Sequence, residues 1–83
     1  MELTAEISMY PLREDFVPPI RALVERLHAH EGLRVTTYPT CTVLVGEQEA
    51  VLAALGDGLA WSDRQFGRCV FVTKFITGWA AGG

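Results

Sequence analysis

The sequence predicts a two-layer α+β domain in which a four-stranded antiparallel sheet carries two helices on one face. Apolar and polar residues alternate near the start of the chain, which is typical of a strand with one buried face. Two later segments repeat apolar residues at helical spacing. The remaining β-branched segments are bounded by Pro or Gly, which indicates short strands.

The first strand is predicted over residues 3–10, and the loop PLRED follows it. Asp15 is a suitable N-cap for the first helix. Pro18 and Pro19 fit the first turn of this helix, where their missing N–H groups are not needed. The helix is expected to end near Gly32, which suits a C-terminal cap. Its apolar stripe consists of Phe16, Ile20, Leu23, Val24 and Leu27.

The second half of the chain supplies the other strands and the second helix. Residues 33–38 and 40–46 are predicted to form a hairpin closed at Pro39. Residues 47–63 form a helix with negative charge at its start, where the helix dipole favours it. Residues 68–77 form the last strand. The order βαββαβ, with right-handed crossovers in both β-α-β units, gives the ferredoxin-like arrangement.

One domain is expected over residues 1–78, with residues 79–83 as a flexible C-terminal tail. A chain of 83 residues buries a smaller share of its surface than a larger domain does. Its hydrophobic content of 49% and mean hydropathy of +0.21 are nevertheless high. This excess points to an oligomer interface or to an apolar binding pocket.

Charge and composition exclude several classes of partner. The net charge of −3 argues against nucleic acid, for which a basic surface is expected. No signal peptide is recognised, and no apolar run approaches the roughly 20 residues that cross a bilayer. The two cysteines lack metal-ligand spacing, which is typical of an intracellular protein with free thiols. We therefore expect a cytoplasmic protein without membrane insertion, metal or cofactor.

Strand alternation assigns side chains to the two sheet faces. Alternate residues from Leu3 to Met9 belong under the helices, and Leu44 in the third strand is a core candidate. The open face then carries five branched apolar residues, each worth about 1.5 to 2 kcal/mol when buried. We expect two open faces to pack together in a homodimer. The predicted interface consists of Val43, Val45, Val70, Val72 and Ile76.

If Leu44 is buried, the hydroxyls of Thr40 and Thr42 also lie between sheet and helices. Buried hydroxyls are normally hydrogen-bonded, because an unpaired one costs a few kcal/mol. These two threonines either bond locally to the backbone or line a cavity and contact a polar ligand. Gly56 and Gly58 in the second helix are compatible with space for a ligand or with tight helix packing.

No catalytic or metal-binding group of residues is recognisable. His28 and His30 are two positions apart on a helix and cannot chelate one metal. Cys41 and Cys69 are assigned to opposite sheet faces, so neither a disulfide nor a shared metal is expected. Trp61 suits a lid on the core or, alternatively, a surface for ring stacking. We expect that the protein is not an enzyme.

The terminal segment AAGG suggests a different function. Ubiquitin-like sulfur carriers of similar length end in Gly-Gly, and their last carboxylate becomes a thiocarboxylate. Their β-grasp fold begins with a hairpin, whereas here a helix follows a single strand. A sulfur carrier is therefore an alternative that the element order does not favour.

Several short motifs together resemble one family. ISMYPL is followed by DF, TVLVG leads into an acidic helix, and FITG follows the last strand. These motifs, between Ile7 and Gly78, are similar to those of the YkoF-like thiamine/hydroxymethylpyrimidine-binding proteins, which belong with a broader thiamine-binding family. The resemblance implies non-catalytic binding of thiamine or its pyrimidine moiety, by dimers or tetramers. An interaction module without a ligand is the alternative, and an enzyme ranks third.

The resemblance also implies which groups would meet the ligand. Ser8, Tyr10 and Thr42 fall on motif positions, and the remaining candidates are chosen for their chemistry. Hydroxyls would meet the pyrimidine nitrogens, while aromatic rings or a carboxylate would face the cationic thiazolium. The full set of candidate ligand-binding residues is Glu6, Ser8, Tyr10, Asp15, Phe16, Thr40, Thr42 and Trp61.

Overall fold

All six predicted elements are present in the computed structural model, which describes residues 1–82. The neighbouring strands of the sheet are antiparallel, in the order β2-β3-β1-β4, which confirms the ferredoxin-like prediction. A helix follows β1 directly, so the chain lacks the opening hairpin of the β-grasp fold. The elements are β1 (Glu2–Pro11), α1 (Val17–His28), β2 (Arg34–Thr37), β3 (Thr42–Glu47), α2 (Gln48–Phe66) and β4 (Cys69–Thr77).

Helix α1 begins and ends differently from the prediction. Its N-cap is Phe16, which makes no side-chain capping bond, so the prediction that Asp15 caps the helix is wrong. Pro18 and Pro19 do occupy the first turn, and their missing N–H groups reduce the number of donors that need a cap. The C-cap is Ala29, and Gly32 adopts its positive φ of 78° in the turn that follows.

The core lies between the sheet and the two helices. Alternate residues of β1 from Leu3 to Met9 are buried there, as predicted, together with Leu44. The helices approach closely at Gly58, where a Cβ would lie 3.2 Å from Cδ1 of Leu23. Gly56 faces open space by the same measure. Tight helix packing therefore explains Gly58, and neither glycine makes room for a ligand.

The register of the sheet assigns the side chains to its two faces. Thr42 lies opposite Ile7 on the helix side, as predicted. Ser8 and Glu6 lie on the open side, where Ser8 is opposite Val72. Strand β3 begins only at Thr42, so the prediction that Thr40 belongs to this strand is wrong; Thr40 lies in the turn Tyr38–Cys41, here called the hairpin turn.

Residues 79–82, here called the strap, cross the open face of the sheet. The Thr4 hydroxyl donates to the carbonyl of Trp79 at 2.8 Å and accepts the N–H of Ala81 at 3.0 Å. The Arg34 guanidinium donates to the Ala81 carbonyl. These contacts account for the burial of Thr4, which is only 4% exposed although it faces the open side. Val45, which lies between Thr4 and Arg34 in the sheet, is 8% exposed. The flexibility of the tail stays a prediction, and Gly83 lies outside the described residues.

The Thr4→Val substitution should release the strap from the sheet. Valine keeps the shape of threonine but has no hydroxyl, so the Trp79 carbonyl and the Ala81 N–H both lose their partner, at a cost of about 1 kcal/mol. Carboxypeptidase should then remove the residues of the strap faster than it does from the native chain. Intact mass spectrometry over time measures this removal. Thr36→Val, on the same face in β2, is the matched control. Equal digestion rates for all three proteins would contradict the role of Thr4.

Candidate ligand-binding site

A cleft lies at the end of the sheet where α1 faces the hairpin turn. It consists of two adjoining cavities, an inner one of about 90 Å³ and an outer one of about 440 Å³. The volume of the outer cavity is in the range of small-molecule sites, about 300 to 1,000 Å³. The two cavities share four lining residues, Met9, Ile20, Pro39 and Thr40.

The inner cavity combines apolar walls with a pair of hydroxyls. Ile20 and Leu23 of α1 face Ile7 across it, and Thr37 and Thr42 also line it. The Oγ1 atoms of Thr37 and Thr42 are 3.2 Å apart. One hydroxyl donates to the other, so the pair retains a second O–H for another acceptor. Of the two possibilities left by the sequence, Thr42 lines a cavity, and its partner is a side chain rather than the backbone.

The hairpin turn is held in place by two hydrogen bonds. The Ser8 hydroxyl donates to the carbonyl of Thr40 at 2.9 Å, which joins β1 to the turn. The Tyr38 N–H donates to the Cys41 carbonyl at 2.8 Å and closes the turn itself. Because its proton is used in this way, Ser8 positions the wall of the cleft and offers a ligand only an accepting oxygen.

Aromatic side chains surround the outer cavity. Tyr10 at the end of β1 and Phe16 before α1 both line it, and each is about half exposed. Their rings are available to a planar or cationic ligand, which could contact a π-face. The structure therefore brings five of the eight predicted ligand-binding residues to one cleft: Ser8, Tyr10, Phe16, Thr40 and Thr42.

Three predicted residues lie elsewhere. Glu6 is on the open sheet face, where its Oε1 is 3.9 Å from Nζ of Lys74. Asp15 is exposed in the loop before α1 and lines neither cavity. Trp61 is on α2, where its ring meets Phe66 edge to face at a centroid distance of 5.7 Å. The predicted residues that line the cleft therefore supply hydroxyls and aromatic rings. The carboxylates of Glu6 and Asp15 and the indole of Trp61 lie outside it.

Trp61 belongs to a polar cluster that joins the two helices. The Arg26 guanidinium lies 4.9 Å from the centroid of the indole ring and forms two hydrogen bonds, at 2.8 and 3.0 Å, with the Asp57 carboxylate. His30 Nε2 is 3.0 Å from the same carboxylate. These bonds, that of Arg26 first, hold the pKa of Asp57 well below its usual range. Since Asp57 is on α2 and its two partners belong to α1 and the turn after it, the cluster fixes the helix pair.

The Asp57→Asn substitution should make the melting temperature less dependent on pH in acid solution. A carboxylate whose pKa is lowered by folding stabilises the protein above its unfolded pKa of about 4, and this contribution is lost as the pH falls through the folded value. The native melting temperature should therefore fall more steeply than that of the variant below about pH 4. Melting curves in a pH series measure this. Parallel pH profiles for the two proteins would contradict the prediction.

One lining residue, Thr37, was missed by sequence reasoning. It lies directly opposite Thr42 in the β2–β3 ladder, and Val35 lies opposite Leu44. The signal was available, because alternation from Val35 along the segment RVTT places Thr37 on the same face. Pairing Thr37 with Thr42 also requires the register of the hairpin, which the sequence alone leaves open.

The five predicted interface residues do not share one environment. Val70, Val72 and Ile76 are 47–49% exposed on the open side of β4. Val43 is partly buried, and Val45 is buried near the strap. Trp79, in the strap, is half exposed beside this surface. The exposed apolar area of the open face therefore follows β4 and continues into the strap.

Neither a metal-ligand cluster nor a membrane-spanning helix occurs within residues 1–82. That part of the chain contains no group of three or more His, Cys, Asp or Glu side chains that could hold a metal ion. None of its helices is both long and apolar enough to cross a bilayer. Cys69 is on the helix side of β4, and burial raises the pKa of its thiol.

Comparison with known proteins finds similarity only among solved structures. No family model and no curated protein matches the chain. A protein from Thermotoga maritima, whose name assigns it provisionally to thiamine biosynthesis or salvage, superposes with a TM-score of 0.83 at 21% identity, over 100% of this chain and 88% of the other. A hypothetical protein from Methanocaldococcus jannascii superposes with a TM-score of 0.81 at 22% identity, over 94% and 81%.

A domain of unknown function from Bacillus cereus is also similar, with a TM-score of 0.69 at 16% identity over 92% of this chain and 75% of the other. At these identities the likeness establishes a shared fold.

Proposed function

We propose that this protein binds thiamine, or its hydroxymethylpyrimidine moiety, in the cleft between α1 and the hairpin turn, and that it does so as a homodimer without catalysing a reaction. The observation that carries the proposal is the Thr37–Thr42 hydroxyl pair at the end of an apolar cavity that opens between aromatic rings. The sequence motifs and the name of the Thermotoga maritima neighbour support the same ligand class.

The inner cavity suits the aminopyrimidine ring. Such a ring has apolar faces, which Ile20 and Leu23 would cover, and ring nitrogens that accept hydrogen bonds. The O–H that the Thr37–Thr42 pair retains would donate to one of these nitrogens. The exocyclic amino group would donate to the carbonyl of Thr40, which belongs to the same hairpin and still has a lone pair.

The outer cavity suits the thiazolium ring, which carries the positive charge of thiamine. Tyr10 and Phe16 line this cavity, and a cation over an aromatic face gains roughly 0.5 to 2 kcal/mol. The three candidates outside the cleft are not needed in this arrangement. The smaller inner cavity and larger outer one would therefore each hold one of the two rings.

The homodimer is proposed from the exposed apolar residues of the open face. Val70, Val72 and Ile76 are each about half exposed in the single chain. Leaving them in contact with water forfeits hydrophobic stabilisation that a second open face would provide. Sedimentation velocity over a dilution series tests this. A monomer at every concentration would remove the homodimer and leave the ligand proposal unaffected.

Isothermal titration calorimetry with thiamine and with hydroxymethylpyrimidine tests the ligand. We expect both to bind with a Kd below about 1 mM, which corresponds to about −4 kcal/mol. Oxythiamine, in which an oxo group replaces the amino group, is the matched control and should bind more weakly. If neither ligand binds below about 1 mM, the assignment of the cleft is overturned and the fold is unaffected.

A further inference from the structure

Helix α1 begins at the mouth of the cleft. Its N-cap, Phe16, lines the outer cavity, and the first turn of the helix follows directly. The first four N–H groups of a helix have no partner within it, and the helix dipole places partial positive charge there. Helix starts are common binding sites for phosphate groups for this reason. The position of α1 would therefore suit a phosphorylated ligand if its N–H groups were free.

The sequence of α1 removes most of these donors. Pro18 and Pro19 lie in the first turn and have no N–H. The N–H of Phe16 donates to the carbonyl of Glu14 at 3.1 Å. Of the four positions from Phe16 to Pro19, three thus have no free N–H to offer a phosphate. A phosphate beside this helix would lose hydrogen bonds to water and gain few in return.

The charges near the outer cavity also disfavour a phosphate. Within residues 1–82, the side chains that line the two cavities are all uncharged. The loop between Pro11 and Phe16, which both line the outer cavity, carries two negative charges, on Glu14 and Asp15, and one positive charge, on Arg13. Proteins that hold phosphates supply Arg or Lys side chains in excess. Here negative side chains outnumber positive ones.

We propose that the cleft selects the unphosphorylated form of its ligand and discriminates against its phosphate esters, and that Pro18 and Pro19 determine this selectivity at the start of α1. The inference rests on the proposed binding of thiamine in the cleft. A phosphate ester adds about 1.5 to 2 negative charges at pH 7 and three acceptor oxygens. The free hydroxyl of the unphosphorylated form needs only water as a partner.

The outer cavity is where the phosphate would have to fit. In thiamine phosphates the ester is attached to the hydroxyethyl arm of the thiazolium ring, and this ring is the one proposed to lie between Tyr10 and Phe16. The face of an aromatic ring carries negative potential, so it attracts a cation and repels an anion. The two rings that favour the thiazolium would therefore disfavour a phosphate attached to it.

Isothermal titration calorimetry of the native chain with thiamine, thiamine monophosphate and thiamine diphosphate tests the selectivity. We expect each ester to bind at least about tenfold more weakly than thiamine. Inorganic pyrophosphate should not displace thiamine. Binding of either ester as tightly as thiamine would overturn the inference and leave the proposed function in place. Absence of thiamine binding would overturn both, so the two failures are distinguishable.

The Pro18→Ala substitution tests the role of the prolines. Pro18 is exposed, and alanine suits a helix while restoring one N–H in the first turn. The ratio of the thiamine affinity to the thiamine diphosphate affinity should fall about threefold, since a group at a helix start gains a modest interaction with an anion. Val17→Ala is the matched control, because it shortens an exposed side chain of the same turn and changes no N–H.

The affinity ratio separates selectivity from a general change in the cleft. A ratio that falls in Pro18→Ala and not in Val17→Ala supports the proposal. Equal ratios in the native chain and Pro18→Ala, or an equal fall in both variants, would overturn the role of the prolines. Melting curves of the same preparations show whether each variant is folded. The ester series on the native chain needs no substitution and decides the selectivity by itself.

Discussion

The Thr42→Val substitution is expected to weaken thiamine binding by at least about tenfold, or about 1.4 kcal/mol, while the domain stays folded. Valine replaces threonine in shape but removes one member of the hydroxyl pair that lines the inner cavity. Without Thr42 as its partner, the Thr37 hydroxyl is no longer held in place beside the ring nitrogen, and a nitrogen left unpaired in the apolar cavity is costly. Thr37 is exposed in the free protein and can bond to water instead, so the loss of stability should be small.

Calorimetry and thermal melting of the same preparations separate the two effects. Thr36→Val is the matched control. Thr36 is next to Thr37 in β2, so its hydroxyl lies on the open face of the sheet, away from the inner cavity. We expect its affinity to equal that of the native chain. An unchanged affinity in Thr42→Val would move the ligand away from the inner cavity. Equal weakening in both variants would indicate a general effect on the sheet.

The Leu27→Ala substitution is expected to have the largest effect on stability, about 3 kcal/mol. Leu27 is 0% exposed in the last turn of α1, and its Cδ2 atom lies beside Gly58 of α2. Removing its side chain leaves a cavity where the two helices approach closely, and a rigid core fills such a space only in part. Small domains have about 5 to 15 kcal/mol of stability in total, so the loss is a large share.

Urea denaturation followed by circular dichroism measures this loss as a lower midpoint with an unchanged slope. Leu59→Ala, a leucine of α2 that is 44% exposed, is the control and should cost less than about 1 kcal/mol. Similar midpoints for the two variants would show that the helix interface is not tightly packed. A changed slope would show that the unfolding reaction itself differs.

Most of the architecture could be predicted because it depends on patterns that are local in the chain. The alternation from Leu3 to Met9 is sufficient to define β1 and its buried face. The paired prolines identified the first turn of α1, since few other positions accept two of them. Helix ends were less accurate: the side chain of Asp15 suits a cap, but whether it bonds depends on the path of the loop.

The candidate site was predicted in part for the same reason. Thr42 was placed on the inner face by alternation from Leu44, and the register agrees. Trp61 could not be placed in this way, because the direction of its ring depends on Arg26 of the other helix. Glu6 and Asp15 are candidates by charge alone, and charge carries no information about distance from a cavity.

Hydrophobic periodicity and the positions of Pro and Gly, then, specified the order of the elements, the helix-bearing face of the sheet and the inward position of Thr42. The cleft and the strap depend on contacts between distant residues. Ser8 meets Thr40 across 32 positions, and Thr4 meets Ala81 across 77. Such hydrogen bonds form only when folding brings a side-chain hydroxyl to a distant backbone carbonyl or N–H group, and nearly every residue type has these backbone groups. No residue pattern therefore encodes them, and their partners become known only from the folded chain.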